Sequence, residues 1–242
     1  MERRILIVGQ SHTEALAAAL RRDPGKDITV VNINRDDRSV PVEEKIRHCG
    51  YLPEVSAFDL VVSMLGGNFH NTLGLIENPI RFEFTEPGET GFTLAPGREL
   101  ITYGLIRHFF SDLMGRRYLQ NIKALKERCG RAFLHVAAPP PVGDNEHIAN
   151  NPGGYFSDKV HLGVAPPALR RKLYNLHETV LREFCERESI DLLPPPPEAV
   201  TPEGFLDRRF WRNDPTHANA DYGALVVDQI RRALGDPQGF HS

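Results

Sequence analysis

"RILIVGQSHTEAL", residues Arg4 to Leu16, sets a short apolar run against a helix-forming one with only a tight corner between them. Ile5 to Val8 is continuously apolar and closed by Gly9. Glu14 to Arg22 (EALAAALRR) consists of strong helix formers, halted by Asp23-Pro24-Gly25. The stretch predicts strand, turn and helix, with Gln10, Ser11 and His12 on the turn. A strand without polar alternation is one covered on both faces, the habit of a parallel sheet between helices.

The rest of the chain repeats this alternation. Ile28 to Ile33 (ITVVNI) and Leu60 to Leu65 (LVVSML) read as the second and third strands, the latter running into Gly66-Gly67-Asn68. A long helical stretch fits Glu99 to Arg128, and Ala132 to Ala138 (AFLHVAA) reads as a fourth strand. Pro166 to Glu188 is helical, with proline at its start where a missing N–H costs least. Ile190 to Leu193 is a short fifth strand stopped by Pro194 to Pro197, and a last helix runs from about Asn219 to Leu234. The order implies an α/β protein: a three-layer α/β/α sandwich with a mainly parallel five-stranded sheet of flavodoxin-like type. With no repeat and no linker, residues 1–242 form one expected domain. Two stretches, 71–98 and 142–164, are rich in Gly, Pro and polar residues and are candidate binding loops.

Composition narrows the function. Apolar residues at 40% and charged residues at 25% are ordinary globular values. The net charge is −3 with the 29 Lys and Arg scattered, so there is no concentrated basic face and no nucleic-acid partner is expected. Cys49, Cys129 and Cys185 are odd in number and lack metal-site spacing, which reads as buried reduced thiols in a cytoplasmic protein. Ile5 to Val8 is too short for a signal segment or a membrane span, so no membrane association is expected. The oligomeric state leaves no signal.

Three polar clusters sit at strand ends or just before a helix: Gln10-Ser11-His12, Asn68-Phe69-His70-Asn71, and Asp214-Pro215-Thr216-His217. Ser11 alone is first of all a candidate helix cap. Asp214 and His217, three residues apart before an apolar-periodic helix, can form a pair in which the carboxylate holds one imidazole nitrogen and frees the other to accept a proton. The equal alternative is an Asp favoured by the helix dipole with an incidental His. Gly66 and Gly67 allow close backbone approach and Asn68 can aim an amide at a developing oxyanion; the alternative is a plain Gly/Asn turn. His12 and His70 read as pocket-lining, and His108, His135, His161 and His177 as surface or satisfied core residues. His12, His70, His217 and Asp214 lack compact ligand spacing, so no metal is expected. There is no P-loop and no Gly-x-Gly-x-x-Gly, and Thr13 interrupts a Gly-x-Ser-x-Gly elbow.

Taken together, the blocks "IVGQSH", "VVSMLGGNFHN" and "DPTHANADYG", in this order, resemble those of the SGNH (GDSL-type) hydrolases. The resemblance implies Ser11 as nucleophile, His217 as general base and then acid, and Asp214 as the residue orienting it. Asn68 and the Ser11 N–H would form the oxyanion hole, with Gly67, His12 and His70 around it. It implies a carboxylic ester hydrolase without a cofactor, acting on a small-molecule or carbohydrate ester, such as an acetyl group on a sugar. An acyltransferase using the same acyl-enzyme, or a weakly active binding protein keeping the fold, are the alternatives. The sequence departs from the pattern at Gln10, where Asp is usual, and at His12. Phe69 replaces a common Asp, leaving the aim of Asn68 unexplained. "VVNINRDDRSV" lacks the second block's glycine, so either Asn32, Asn34 or a nearby backbone N–H replaces that donor, or the hole has one donor fewer.

Overall fold

The computed structural model describes residues 3–24, 27–34, 39–47 and 50–235. Its first half comprises β1 (Ile5–Gly9), α1 (Thr13–Arg22), β2 (Ile28–Asn32), α2 (Val42–Arg47), β3 (Leu60–Met64), α3 (Phe69–Gly74), β4 (Phe82–Glu83) and β5 (Glu99–Leu100). There follow α4 (Tyr103–Met114), α5 (Gln120–Cys129), β6 (Ala132–Val136), α6 (Asn145–Asn150), α7 (Gly153–Phe156), α8 (Pro167–Arg187), β7 (Asp191–Leu193) and α9 (Ala220–Gly235).

Five strands pair in the order β2-β1-β3-β6-β7, every pair parallel. β1 and β3 are buried along their whole length, as their unbroken apolar runs require. From β1 the chain first builds outward to β2, then returns to place β3 on the other side of β1. The strand order therefore reverses between β1 and β3, where the loops leaving the two strand ends diverge and open a crevice. Ser11 follows β1 and Asn68 follows β3, so both sequence blocks flank that crevice.

Helices cover both faces. Ile5, Ile7, Leu60 and Val62 pack with Leu16 of α1 and Val226 and Ile230 of α9; Leu6, Val8, Val61 and Phe133 pack with residues of α4, α5 and α8. The α1–α9 contact is unusually close. A Cβ on Gly223 would lie 2.2 Å from the Ala15 carbonyl oxygen, so only glycine lets the last helix seat against the helix that follows Ser11. That packing carries the segment before α9 to the β1 corner.

The two long loops pack on one another through Leu75, Ile76, Val142, Ile148 and Phe156, with an antiparallel bridge between Ile76 and Val164. The first is also tied down by ions: Arg98 bonds Glu77, and Lys172 Nζ from α8 reaches Phe84 O at 2.9 Å and Glu89 at 2.9 Å. The helix expected from Glu99 starts at Tyr103 instead. Glu99 and Leu100 pair with Phe82 and Glu83 as β5 and β4, and the Thr102 hydroxyl accepts from Leu105 N at the new start. A π-helical turn, Gly115–Leu119, then separates α4 from α5. Cys129 and Cys185 are buried and unbridged, and Cys49 lies outside the described residues. Among the described residues no helix is long and apolar enough to cross a membrane.

Candidate active site

The β1 corner is closed by its own threonine. Gln10 O accepts from Thr13 N at 3.0 Å and from Thr13 Oγ1 at 2.7 Å, which places the N-cap of α1 on His12 with no side-chain cap bond. The Ser11 hydroxyl is thus not the helix cap. Gln10 keeps a role despite lacking charge: its Oε1 accepts from Gly66 N at 3.1 Å, joining the β1 corner to the β3 corner. Gly66 is needed twice over. It sits at φ +79°, and a Cβ there would be 2.6 Å from Tyr118 Cβ, which the π-helical turn pushes inward.

Asn68 stands at the start of α3 without a side-chain cap bond. Its Oδ1 accepts from Asn71 Nδ2 at 2.7 Å, which fixes the amide plane and leaves the Asn68 NH2 to face an acceptor. Asn71, 3% exposed, thereby does the orienting that Phe69 cannot. Phe69 packs instead into the core, its ring 4.9 Å from that of Phe110. Gly67 lies between the corners, where a Cβ would come within 3.2 Å of both Ala138 Cβ and His12 Cδ2.

Asp214 Oδ1 gathers three donors: His217 Nδ1 at 3.0 Å, His217 N at 2.8 Å and Thr216 N at 3.0 Å. Burial pushes this carboxyl up, but the bonds from His217 and the backbone outweigh it and hold it at about 2. The ionised Asp214 demands the Nδ1–H tautomer of His217, which leaves the Nε2 lone pair as a base. That Nε2 is buried and has no hydrogen-bond partner among the described residues, so the Ser11 hydroxyl is not bonded to it here.

His12 abuts this base, its ring centroid 5.0 Å from that of His217. Burial, reinforced by the neighbouring His217, lowers His12 to about 3, so it is a neutral imidazole, and its Nε2 is likewise without a partner. His70 lies deeper. Its ring is 5.2 Å from His177 and 5.1 Å from Tyr174, and burial holds it neutral, with both nitrogens unpartnered. Ser11 opens onto a hollow of about 580 Å³ that it shares with Glu14, Asn32, Asn34 and Lys45. The two asparagines at the end of β2, where the second block's glycine is missing, therefore stand in the same hollow as Ser11. An apolar groove of about 590 Å³ between Leu73, Ile80, Phe82, Leu105 and Phe109 contains none of the candidate residues. Among the described residues no three His, Cys, Asp or Glu side chains converge to hold a metal ion.

Arg212 and His147 stand outside the three polar clusters, and Asn71 enters only as the last member of one of them. His147 from α6 bonds the Asp214 carbonyl at 3.1 Å, and its ring lies tilted 4.8 Å from that of Trp211, bringing the second long loop to the loop that carries Asp214 and His217. Its position inside the 142–164 stretch was the only available signal.

No protein-family model matches the chain, and no curated protein matches it in sequence. Solved structures match it over nearly its whole length. A GDSL-like lipase from Bacteroides thetaiotaomicron superposes with a TM-score of 0.50 at 12% identity, over 97% of this chain and 88% of its own. A candidate acylhydrolase from Bacteroides fragilis gives 0.51 at 13% identity, over 97% and 87% of the two chains. A protein from Lactobacillus plantarum gives 0.51 at 14%, over 96% of each. The chain has the SGNH-hydrolase fold. Within the SGNH-hydrolase fold as this chain builds it, the β1 corner, the β3 corner and the loop before α9 meet at one end of the sheet. Gln10 to Gly66 and His12 to His217 are the contacts that join them.

Proposed function

We propose that this protein is a carboxylic ester hydrolase in which Ser11 is the nucleophile, His217 the general base and Asp214 its orienting partner. The observation that carries the reading is His217 itself: Nδ1 is fixed by an ionised Asp214 and Nε2 is buried without a partner, beside the corner that bears Ser11. In the reaction Ser11 Oγ attacks the acyl carbon while its proton passes to His217 Nε2. The tetrahedral oxyanion is held by the Asn68 amide and the Ser11 N–H, and the alkoxide leaves with the proton from His217. Water, deprotonated by the same nitrogen, then releases the acid. The step requires the Ser11 hydroxyl to close on Nε2, the tightening commonly seen when substrate binds. The hollow beside Ser11 combines Glu14, Asn32, Asn34 and Lys45 with Val40, Pro41 and Val42, a mixed lining that suits a hydroxylated alcohol portion, such as a sugar carrying a short acyl group.

The test is covalent. Incubation with a fluorophosphonate or p-nitrophenyl acetate should give a mass adduct on Ser11, absent from Ser11→Ala and formed at least ~1,000-fold more slowly in His217→Ala. Folded wild-type protein that stays unlabelled at Ser11 would refute the reading.

A further inference from the structure

Among the described residues, Arg212 stands between the loop that carries Asp214 and His217 and the helix after Ser11. Arg212 Nη1 bonds Glu14 Oε2 of α1 at 2.7 Å, and its Nε lies 3.6 Å from Asp214 Oδ2. The three donors from His217 and Thr216 all go to Asp214 Oδ1, so the guanidinium addresses the carboxylate oxygen that they leave. The Arg212 backbone closes the same loop, its N–H donating to His217 O at 3.1 Å. Below it, Trp211 and Ala218 form an antiparallel bridge, and Asn219 Nδ2 bonds Arg209 O at 2.7 Å and Trp211 O at 3.2 Å. The loop carrying Asp214 and His217 is thus narrow and closed at its base. What sets it against the Ser11 corner is a planar fork reaching two carboxylates on different elements, a geometry that arginine provides and lysine does not.

We propose that Arg212 is a positioning residue that locks the Asp214–His217 loop onto the helix following Ser11, and so sets the approach of the general base to the nucleophile. The proposal rests on the reading of Asp214 and His217 as the acid–base pair. Besides that pair, Glu14 from α1 is bonded to the fork, His12 from the β1 corner abuts the His217 ring, and His147 from α6 bonds the Asp214 carbonyl. Removing the cation weakens the Glu14 tie and takes positive charge from beside Asp214.

Two readouts test this, one of them independent of turnover. Arg212→Gln should slow fluorophosphonate labelling of Ser11 about ten-fold with little change in probe affinity, the signature of lost alignment rather than lost binding. Arg212→Lys should recover part of the rate, and Glu14→Gln should slow labelling as Arg212→Gln does. Independently of labelling, the NMR signals of the His217 ring should be displaced in Arg212→Gln and return towards their wild-type positions in Arg212→Lys. A labelled wild type with Arg212→Gln equal to it in rate and in its His217 ring signals overturns the proposal. So does a loss of rate that tracks a falling melting temperature with unmoved ring signals and no recovery in Arg212→Lys. If wild type does not label but the ring signals move in Arg212→Gln, the clamp stands and the hydrolase reading falls.

Discussion

His12, His70, His135 and His177 are all buried, and burial holds each of them below its ordinary range: His12 and His135 to about 3, His177 to about 4, and His70 well down. An unfolded histidine takes up a proton near pH 6.5, and these folded ones refuse it. Stability is therefore intact above about pH 6.5 and is lost as the pH falls below it towards the folded values. At pH 5 the unfolded chain gains about 2 kcal/mol per such histidine, or about 8 kcal/mol for the four. Glu178 acts the other way. Its buried carboxyl, with Oε1 unpartnered, is pushed up to about 8, so at pH 8 the folded state still holds about half a proton that the unfolded state has released. Acidification from pH 8 to 5 relieves about 3–4 kcal/mol of that cost. Asp214, at about 2, lies outside this window. The net expectation is a loss of about 4–5 kcal/mol between pH 8 and 5, a large part of a stability of ordinary size. Urea unfolding at pH 8, 6.5 and 5 measures it, and Glu178→Gln separates the two contributions. That variant should gain stability at pH 8 and fall by about 8 kcal/mol over the same interval. A wild type whose stability changes by less than ~1 kcal/mol, or a Glu178→Gln curve running parallel to it, would show that these histidines do not stay neutral.

Gly223→Ala forces a Cβ onto the Ala15 carbonyl at 2.2 Å, a backbone atom that can yield only if α1 and α9 separate. The expected loss is about 2–3 kcal/mol, read by calorimetry as a melting temperature roughly 5–10 °C lower; an unchanged one would mean that the helices do not seat this closely. Asn71→Leu removes the group that fixes the Asn68 amide while keeping the position filled. Ester turnover should fall about ten-fold in kcat with KM nearly unchanged, and a rise in KM alone would place Asn68 in substrate binding instead.

The fold was legible because its strongest signals are local. The runs at β1 and β3 contain no polar interruption except Ser63, and that residue is met in the sheet by His135 Nδ1 at 3.0 Å, as a satisfied core histidine should be. His177 departs from that reading, buried with Nδ1 unpartnered, because a helix-face count does not reveal what stands opposite. The start of α4 was misplaced for a related reason: a two-residue strand such as Glu99–Leu100 has no periodicity, and pairing with Phe82–Glu83 overrides its helical neighbours. At the site, Asp214 and His217 are three residues apart, and glycines mark the corner that holds Asn68, so short spacing rules reach them.

Arg212 and Glu14 stand 198 positions apart, and no spacing rule connects them. Their meeting follows from topology instead. The switch between β1 and β3 sets where the crevice opens, and Gly223 lets α9 close on α1, so the residues that precede α9 must land beside those that open α1. A charged side chain on each segment is then enough to fix their register. The same reasoning bears on the missing glycine of the second block. The end of β2 lies beside the end of β1, Gly9 against Asn32, so whatever occupies that end shares the hollow with Ser11. Asn32 and Asn34 bring side-chain amides to the place where a glycine would bring only backbone. On the proposed mechanism, an amide from this end would supply by a side chain the donor that a glycine there would supply by its backbone.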